Sequence, residues 1–216
     1  MMYSHTIGSH VYRFPDLRVL MARASPYRSG DALAGVCAEN YQERIAAQMC
    51  LADVPLRNFL SEALIPYEED EVTRLIMDGH DAAAFEPISS FTVGEFRDWL
   101  LGDDATAELI VQIKKGITPE MAAAVSKIMR NQDLVLGAQK CRVVTRFRNT
   151  IGLPGRFSTR LQPNHPTDDL KGIAASTIDG LMYGSGDAVI GINPASDEPG
   201  KVYALLHMLN ALISKF

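Results

Sequence analysis

The sequence predicts an α/β chain, with a mostly helical part over residues 1–150 and the opening of a parallel strand–helix domain over residues 151–216. Three observations predict it. Helix start and stop signals recur through the first 140 residues. After Lys140 the pattern changes to short β-prone runs. Two of these, Arg156–Gln162 and Asp187–Asn193, start 31 residues apart with a helical stretch between them. That spacing is the length of a β–α–β unit, so the two strands are expected to run parallel.

Each element has its own local reason. Asp31 is placed to cap a helix through the Ala-rich stretch Leu33–Cys50. Pro55 suits the first turn of the next helix. Glu68–Met77 reads as a helix stopped by Gly79. Thr92 with Glu95 forms a capping box before Phe96, Trp99 and Leu100, and Gly102 ends that helix. Trp99 reads as core rather than as a ligand platform. Thr118-Pro119-Glu120 opens a helix with Met121, Ala124, Val125 and Ile128 on one face. Arg142–Phe147 is β-prone and Ile151–Gly155 is a turn. Thr167–Met182 is a helix with Asp168 and Asp169 in its first turn, where carboxylates favour the dipole. Lys201–Lys215 is the last helix.

Composition excludes several classes. The 216 residues can bury a real core, and 47% are hydrophobic and 22% charged. The net charge of −5 argues against a nucleic-acid or anionic-membrane partner, since both need a basic surface. No apolar run reaches the roughly 18 residues of a membrane helix. Met1–Phe14 carries His5, His10 and Arg13 without an apolar core, unlike a signal peptide. Cys37, Cys50 and Cys141 are odd in number and show no CxxC spacing, so reduced, mostly buried thiols are expected. The five scattered histidines give no metal-ligand spacing.

The two strands point to a site. Asp187–Asn193 is almost continuously apolar, as a strand covered on both faces would be, and it ends at Asn193-Pro194. Arg156–Gln162 instead carries Ser158, Arg160 and Gln162 on one face. A charge on a buried strand needs a partner, so Arg160 is expected to have one. Ligands of parallel sheets bind at the carboxyl ends of strands, where Arg160, Gln162 and Asn193 lie. A guanidinium and two amides recognise oxygen and nitrogen at fixed angles but supply no general base or nucleophile. The competing reading pairs Arg160 with an acid inside the fold and uses the amides to close backbone groups.

The chain resembles the front half of the ethanolamine ammonia-lyase large subunit. The resemblance rests on Arg28–Asp31 with Leu33–Gly35, Gln42–Arg44, Thr73–Ile76, Lys115–Thr118 leading to Ala122–Val125, and Lys127-Ile128. Its most specific parts are Thr150–Gly155, Arg160–Asn164 and Gly186–Gly191 with Asn193-Pro194. The resemblance implies a helical N-terminal domain followed by a (β/α)8 TIM barrel, of which this chain would hold the first two strand–helix units. It implies adenosylcobalamin over the barrel mouth, whose cobalt–carbon bond breaks to give an adenosyl radical. That radical takes a hydrogen from ethanolamine, leading to acetaldehyde and ammonia. On the matching positions, Arg160, Gln162 and Asn193 would contact the substrate and Pro194 would lie at the cofactor. Implied partners are the lyase's small subunit and further large subunits, in the cytoplasm or a bacterial microcompartment.

A (β/α)8 barrel takes about 250 residues, whereas residues 151–216 number 66. The remaining six units, with the expected catalytic glutamate and the rest of the corrinoid floor, are not in the chain. Three readings follow: a lyase half-site completed by the rest of the barrel, a truncated non-catalytic paralogue serving assembly, or an independent small α/β domain. The isolated chain is expected to be inactive.

Overall fold

The computed structural model describes residues 2–141, 143–144, 151–153, 155, 157–186 and 189–215. Among them the chain divides into two compact units, residues 1–142 and 143–216.

The first unit opens with a feature the sequence reading missed. β1 (Tyr3–Ile7) and β2 (His10–Phe14) form an antiparallel hairpin in which Ile7 faces His10 across the two-residue turn Gly8-Ser9. The alternation of polar and apolar residues with a Gly at the turn is a hairpin signature. Helices follow: α1 (Leu17–Arg23), α2 (Ser29–Leu33), α3 (Tyr41–Ala52), α4 (Asn58–Ser61), α5 (Glu71–Asp78), α6 (Ala82–Phe85), α7 (Val93–Leu101), α8 (Ala107–Ile113), α9 (Pro119–Lys127) and α10 (Asn131–Lys140).

Most starts are explained by side-chain caps that accept the free first-turn N–H groups. Asp16 accepts from Val19 at 2.7 Å, Asp70 from Thr73 at 2.7 Å and Thr118 from Met121 at 3.3 Å. The expected box is present on α7, where Thr92 caps Glu95 at 3.1 Å and Glu95 reaches back at 2.7 Å. Gly79 and Gly102 end α5 and α7 as expected. Two expectations fail. The helix from Leu33 to Cys50 is two helices. Asp31 lies inside α2, Gly35 at φ 70° turns the chain out of it, and Asn40 caps α3 through Glu43 at 2.9 Å. Pro55 does not open a helix: it bridges to Thr92, and α4 begins only at Asn58.

The core is built around α3, which packs against β1, α1, α7 and α9. Ala46 and Ala47 are fully buried and let the neighbouring elements approach closely. Leu17, Leu20, Leu51, Leu56, Phe14 and Met121 fill the space around them. Burying each such side chain is worth about 1.5–3 kcal/mol. Trp99 packs on this core beside Phe96, with ring centroids 5.4 Å apart, as its core reading requires. The thiols are free as expected, but only Cys50 is buried; Cys37 is half-buried and Cys141 is exposed.

One polar contact ties the hairpin down. Glu62 accepts from the Leu17 amide at 2.6 Å and from the Tyr3 hydroxyl at 2.9 Å, so hairpin and α1 share one carboxylate. Burial, with Glu62 beside it, pushes the Tyr3 phenol up to about 12.

The second unit contains β3 (Arg160–Leu161), α11 (Leu170–Met182), β4 (Val189–Ile190) and α12 (Pro199–Ile213). β3 and β4 pair in parallel, Arg160 opposite Val189 and Leu161 opposite Ile190, which confirms the β–α–β reading. The two helices pack on each other, and Ile173, Thr177 and Leu205 are buried. Helix α11 starts at Leu170 under the Asp169 cap, three residues after the expected Thr167. The strands are shorter than expected. The ladder ends with the Gly191 amide donating to the Leu161 carbonyl at 2.9 Å. The next donor in a parallel ladder would be residue 163, a proline with no N–H. No closed barrel is formed among the described residues. The β-prone run Arg142–Phe147 and the strand starts at residues 156 and 187–188 fall wholly or partly outside the described residues.

The Tyr3 shift carries a pH prediction. The unfolded phenol ionises near 10, and the folded one near 12. Between those values the unfolded chain sheds a proton that the fold keeps, so stability falls as pH rises through this window. Denaturant titrations from pH 9 to 12 should show a loss in the parent that is smaller in Tyr3→Phe.

Candidate functional site

The parallel pair gives its polar residues one edge. Leu161 packs against α11, so Arg160, the preceding residue, projects from the opposite face of the pair. Gln162 follows at the carboxyl end of β3, and Asn193 lies three residues beyond β4. Because the strands are parallel, these ends share an edge of the unit. All three side chains are exposed, and Pro194 is half-buried.

The expectation that Arg160 is a buried charge with an obligatory partner is therefore corrected. Among the described residues no carboxylate pairs with it. The Arg160 side chain is exposed, and an exposed guanidinium needs no counter-charge. The reading of β4 as a strand covered on both faces fails for the same reason: Val189 is 48% exposed.

The guanidinium has a close neighbour. It lies close to Gly191, the residue just past β4. A Cβ at that position would sit 2.7 Å from Arg160 Nη2, 3.0 Å from Nε and 3.2 Å from Cζ. Only glycine leaves this surface flat. The sequence carried the signal, since Gly inside a strand run often marks a close approach. Reading Gly191 as one more apolar residue passed over it.

The loops beyond the two strands are joined by Asp168. The sequence reading placed Asp168 and Asp169 together in the first turn of the following helix. Only Asp169 acts there, as the N-cap of α11, accepting from Gly172 at 2.7 Å. Asp168 stands outside the helix, buried, with φ 56°. Its Oδ1 accepts from the Ala195 amide at 2.7 Å, and the Ser196 hydroxyl approaches Oδ2 at 3.5 Å. The turn beneath it closes with the Asp168 amide donating to the His165 carbonyl at 3.1 Å. In sequence an acid beside a capping acid looks like a second dipole residue, so nothing local distinguished this role.

Chemically, the edge offers donors from Arg160 and both donors and acceptors from Gln162 and Asn193. Such a set orients a small polar molecule. It does not form a nucleophile–base pair. Substituting Gly191 with Ala should test the seat. The added methyl displaces the flexible end of Arg160, so the Arg160 Nε resonance should shift while unfolding free energy changes by less than about 0.5 kcal/mol. A large loss of stability would show that the backbone itself requires glycine.

Comparison with known proteins gives one consistent family. The family profile described as ethanolamine ammonia lyase large subunit (EutB) matches residues 12–216. The ethanolamine ammonia-lyase large subunit of Escherichia coli (strain K12) is 42% identical over 211 residues, covering 98% of this chain and 47% of that protein. The large subunit of Salmonella typhimurium (strain LT2) matches at the same 42% identity and the same coverage. The chain thus spans about half the length, 47%, of these relatives.

Proposed function

This chain belongs to the ethanolamine ammonia-lyase large-subunit family, and we propose that it contributes the first part of the substrate site of an adenosylcobalamin-dependent ethanolamine ammonia-lyase. What supports this reading is the position of Arg160, Gln162 and Asn193 in or just beyond two paired parallel strands. In this reading residues 151–216 open a (β/α)8 barrel whose further strands the completed subunit supplies.

The chemistry of the edge fits the substrate. Ethanolamine carries a hydroxyl and, near neutral pH, an ammonium group. Arg160 has donors only, so it can serve the hydroxyl oxygen and repels the ammonium. The carbonyl oxygens of Gln162 and Asn193 accept from the ammonium. Two fixed ends of a four-atom molecule define which carbon–hydrogen bond faces the reacting group. A donor set without a base or nucleophile also fits a reaction whose hard step belongs to a cofactor. When bound, adenosylcobalamin would supply the radical chemistry and Pro194 would be among the residues that hold it; the residues of this chain bind and orient. The small subunit and further large subunits are the partners this reading implies.

A second reading, a non-catalytic assembly module, is favoured by the apolar surface of the second unit, where Phe157 is 97% exposed, Met182 81% and Tyr203 66%. The experiment that separates them supplies the chain with the remainder of the large subunit, the small subunit and adenosylcobalamin, and measures acetaldehyde release from ethanolamine. Turnover is expected; none would leave the assembly module as the surviving reading. In the active assembly, Arg160→Ala should raise KM about 10- to 100-fold, the value of a hydrogen bond from a charged group of roughly 1.5–3 kcal/mol. Its unfolding transition should not move. A collapse of stability with unchanged substrate response would make Arg160 structural.

A further inference from the structure

Asn193 poses a positioning problem. The ladder holds the chain only as far as Gly191, and Asn193 lies beyond it with an exposed side chain. A carboxamide on an unpaired stretch samples many directions, and a site that orients a small molecule cannot use it in that state. Something must hold the backbone on its far side.

The structure places one group there. The Asp168 carboxylate, on the loop between β3 and α11, bonds the Ala195 amide at 2.7 Å, two residues past Asn193. Pro194 lies between them with its φ confined to about −65°. Asn193 is thus pinned upstream by the Gly191 bond and downstream by Asp168, with a stiff residue next to it. The arrangement has a cost. Asp168 is a non-glycine residue at φ 56°, in the left-handed region that most L-residues avoid. It is also buried to 8% exposure, where a carboxylate must be hydrogen-bonded. Strain held in place by a cross-loop bond beside a site is the pattern of a residue kept for positioning.

We propose that Asp168 is a positioning residue for Asn193, setting the direction of its carboxamide toward the substrate through the Ala195 amide. This rests on the ammonia-lyase reading above. The same bond joins the loop after β3, which follows Gln162, to the loop after β4.

The test uses the assembled ammonia-lyase with Asp168→Asn, Asp168→Gly, Asn193→Ala and the Asp168→Gly/Asn193→Ala double variant. Asp168→Asn keeps an oxygen for the Ala195 amide and tolerates positive φ, so its KM should stay close to the parent's. Asp168→Gly relieves the backbone strain and removes the bond. Its unfolding midpoint should hold or rise, while kcat/KM falls on the order of 10-fold or more, mostly through KM, since misplacing a contact by about 1 Å can cost up to about 100-fold. Amide exchange at Ala195 should quicken in Asp168→Gly and stay slow in Asp168→Asn. The double variant should be no worse than Asn193→Ala alone, because the two residues would act through one contact. An unchanged KM in Asp168→Gly, or losses that multiply in the double variant, would overturn the proposal while leaving the ammonia-lyase reading intact. A parent assembly without ethanolamine turnover would overturn both.

Discussion

The short backbone ladder between Arg160–Leu161 and Val189–Ile190 is the constraint on which the second unit's arrangement of polar residues depends. Residues 160 and 193 are far apart in sequence. Parallel pairing puts the carboxyl ends of both strands on one edge, and the alternation of side chains sends Leu161 to α11 and Arg160 away from it. The rest of the site is adjustment around that constraint. Gly191 leaves a flat seat for the guanidinium. Pro163 stops the ladder. Asp168 ties the two departing loops together.

The first unit follows a different logic. Its stability comes from apolar packing around the small residues of α3, with caps at most helix starts and one shared carboxylate, Glu62, between hairpin and α1. This contrast suits a division of labour in which one unit is a packed body and the other presents polar groups on a partly uncovered sheet. Membership of the ammonia-lyase large-subunit family gives that contrast a chemical setting.

Much of the local structure was legible in the residues. Thr92 with Glu95, Thr118-Pro119, Gly79 and Gly102 each do locally what their type suggests, because a cap needs only its own turn to form. The β–α–β unit was legible from spacing. The hairpin at Tyr3–Phe14 was equally local, yet its five-residue strands were overlooked beside the stronger helical signals. The break between α2 and α3 was hidden because Ala-rich sequence reads as continuous helix. Gly35 at φ 70° and the Asn40 cap interrupt it, and both are local signals that the Ala-rich pattern outweighed.

The sequence by itself determined the helix boundaries that depend on caps, the parallel relation of the two strands and the residue types available at their ends, since all three follow from contacts within a few residues or from loop length. Tertiary structure decided the rest. Whether Arg160 is buried depends on what covers its face, and that is set by elements distant in sequence. The same holds for the seat on Gly191 and for Asp168, whose partner Ala195 is 27 residues away. A carboxylate next to a helix start carries no mark of whether it caps that helix or reaches across to another loop. Only the approach of the two loops, fixed by the ladder beneath them, makes that choice.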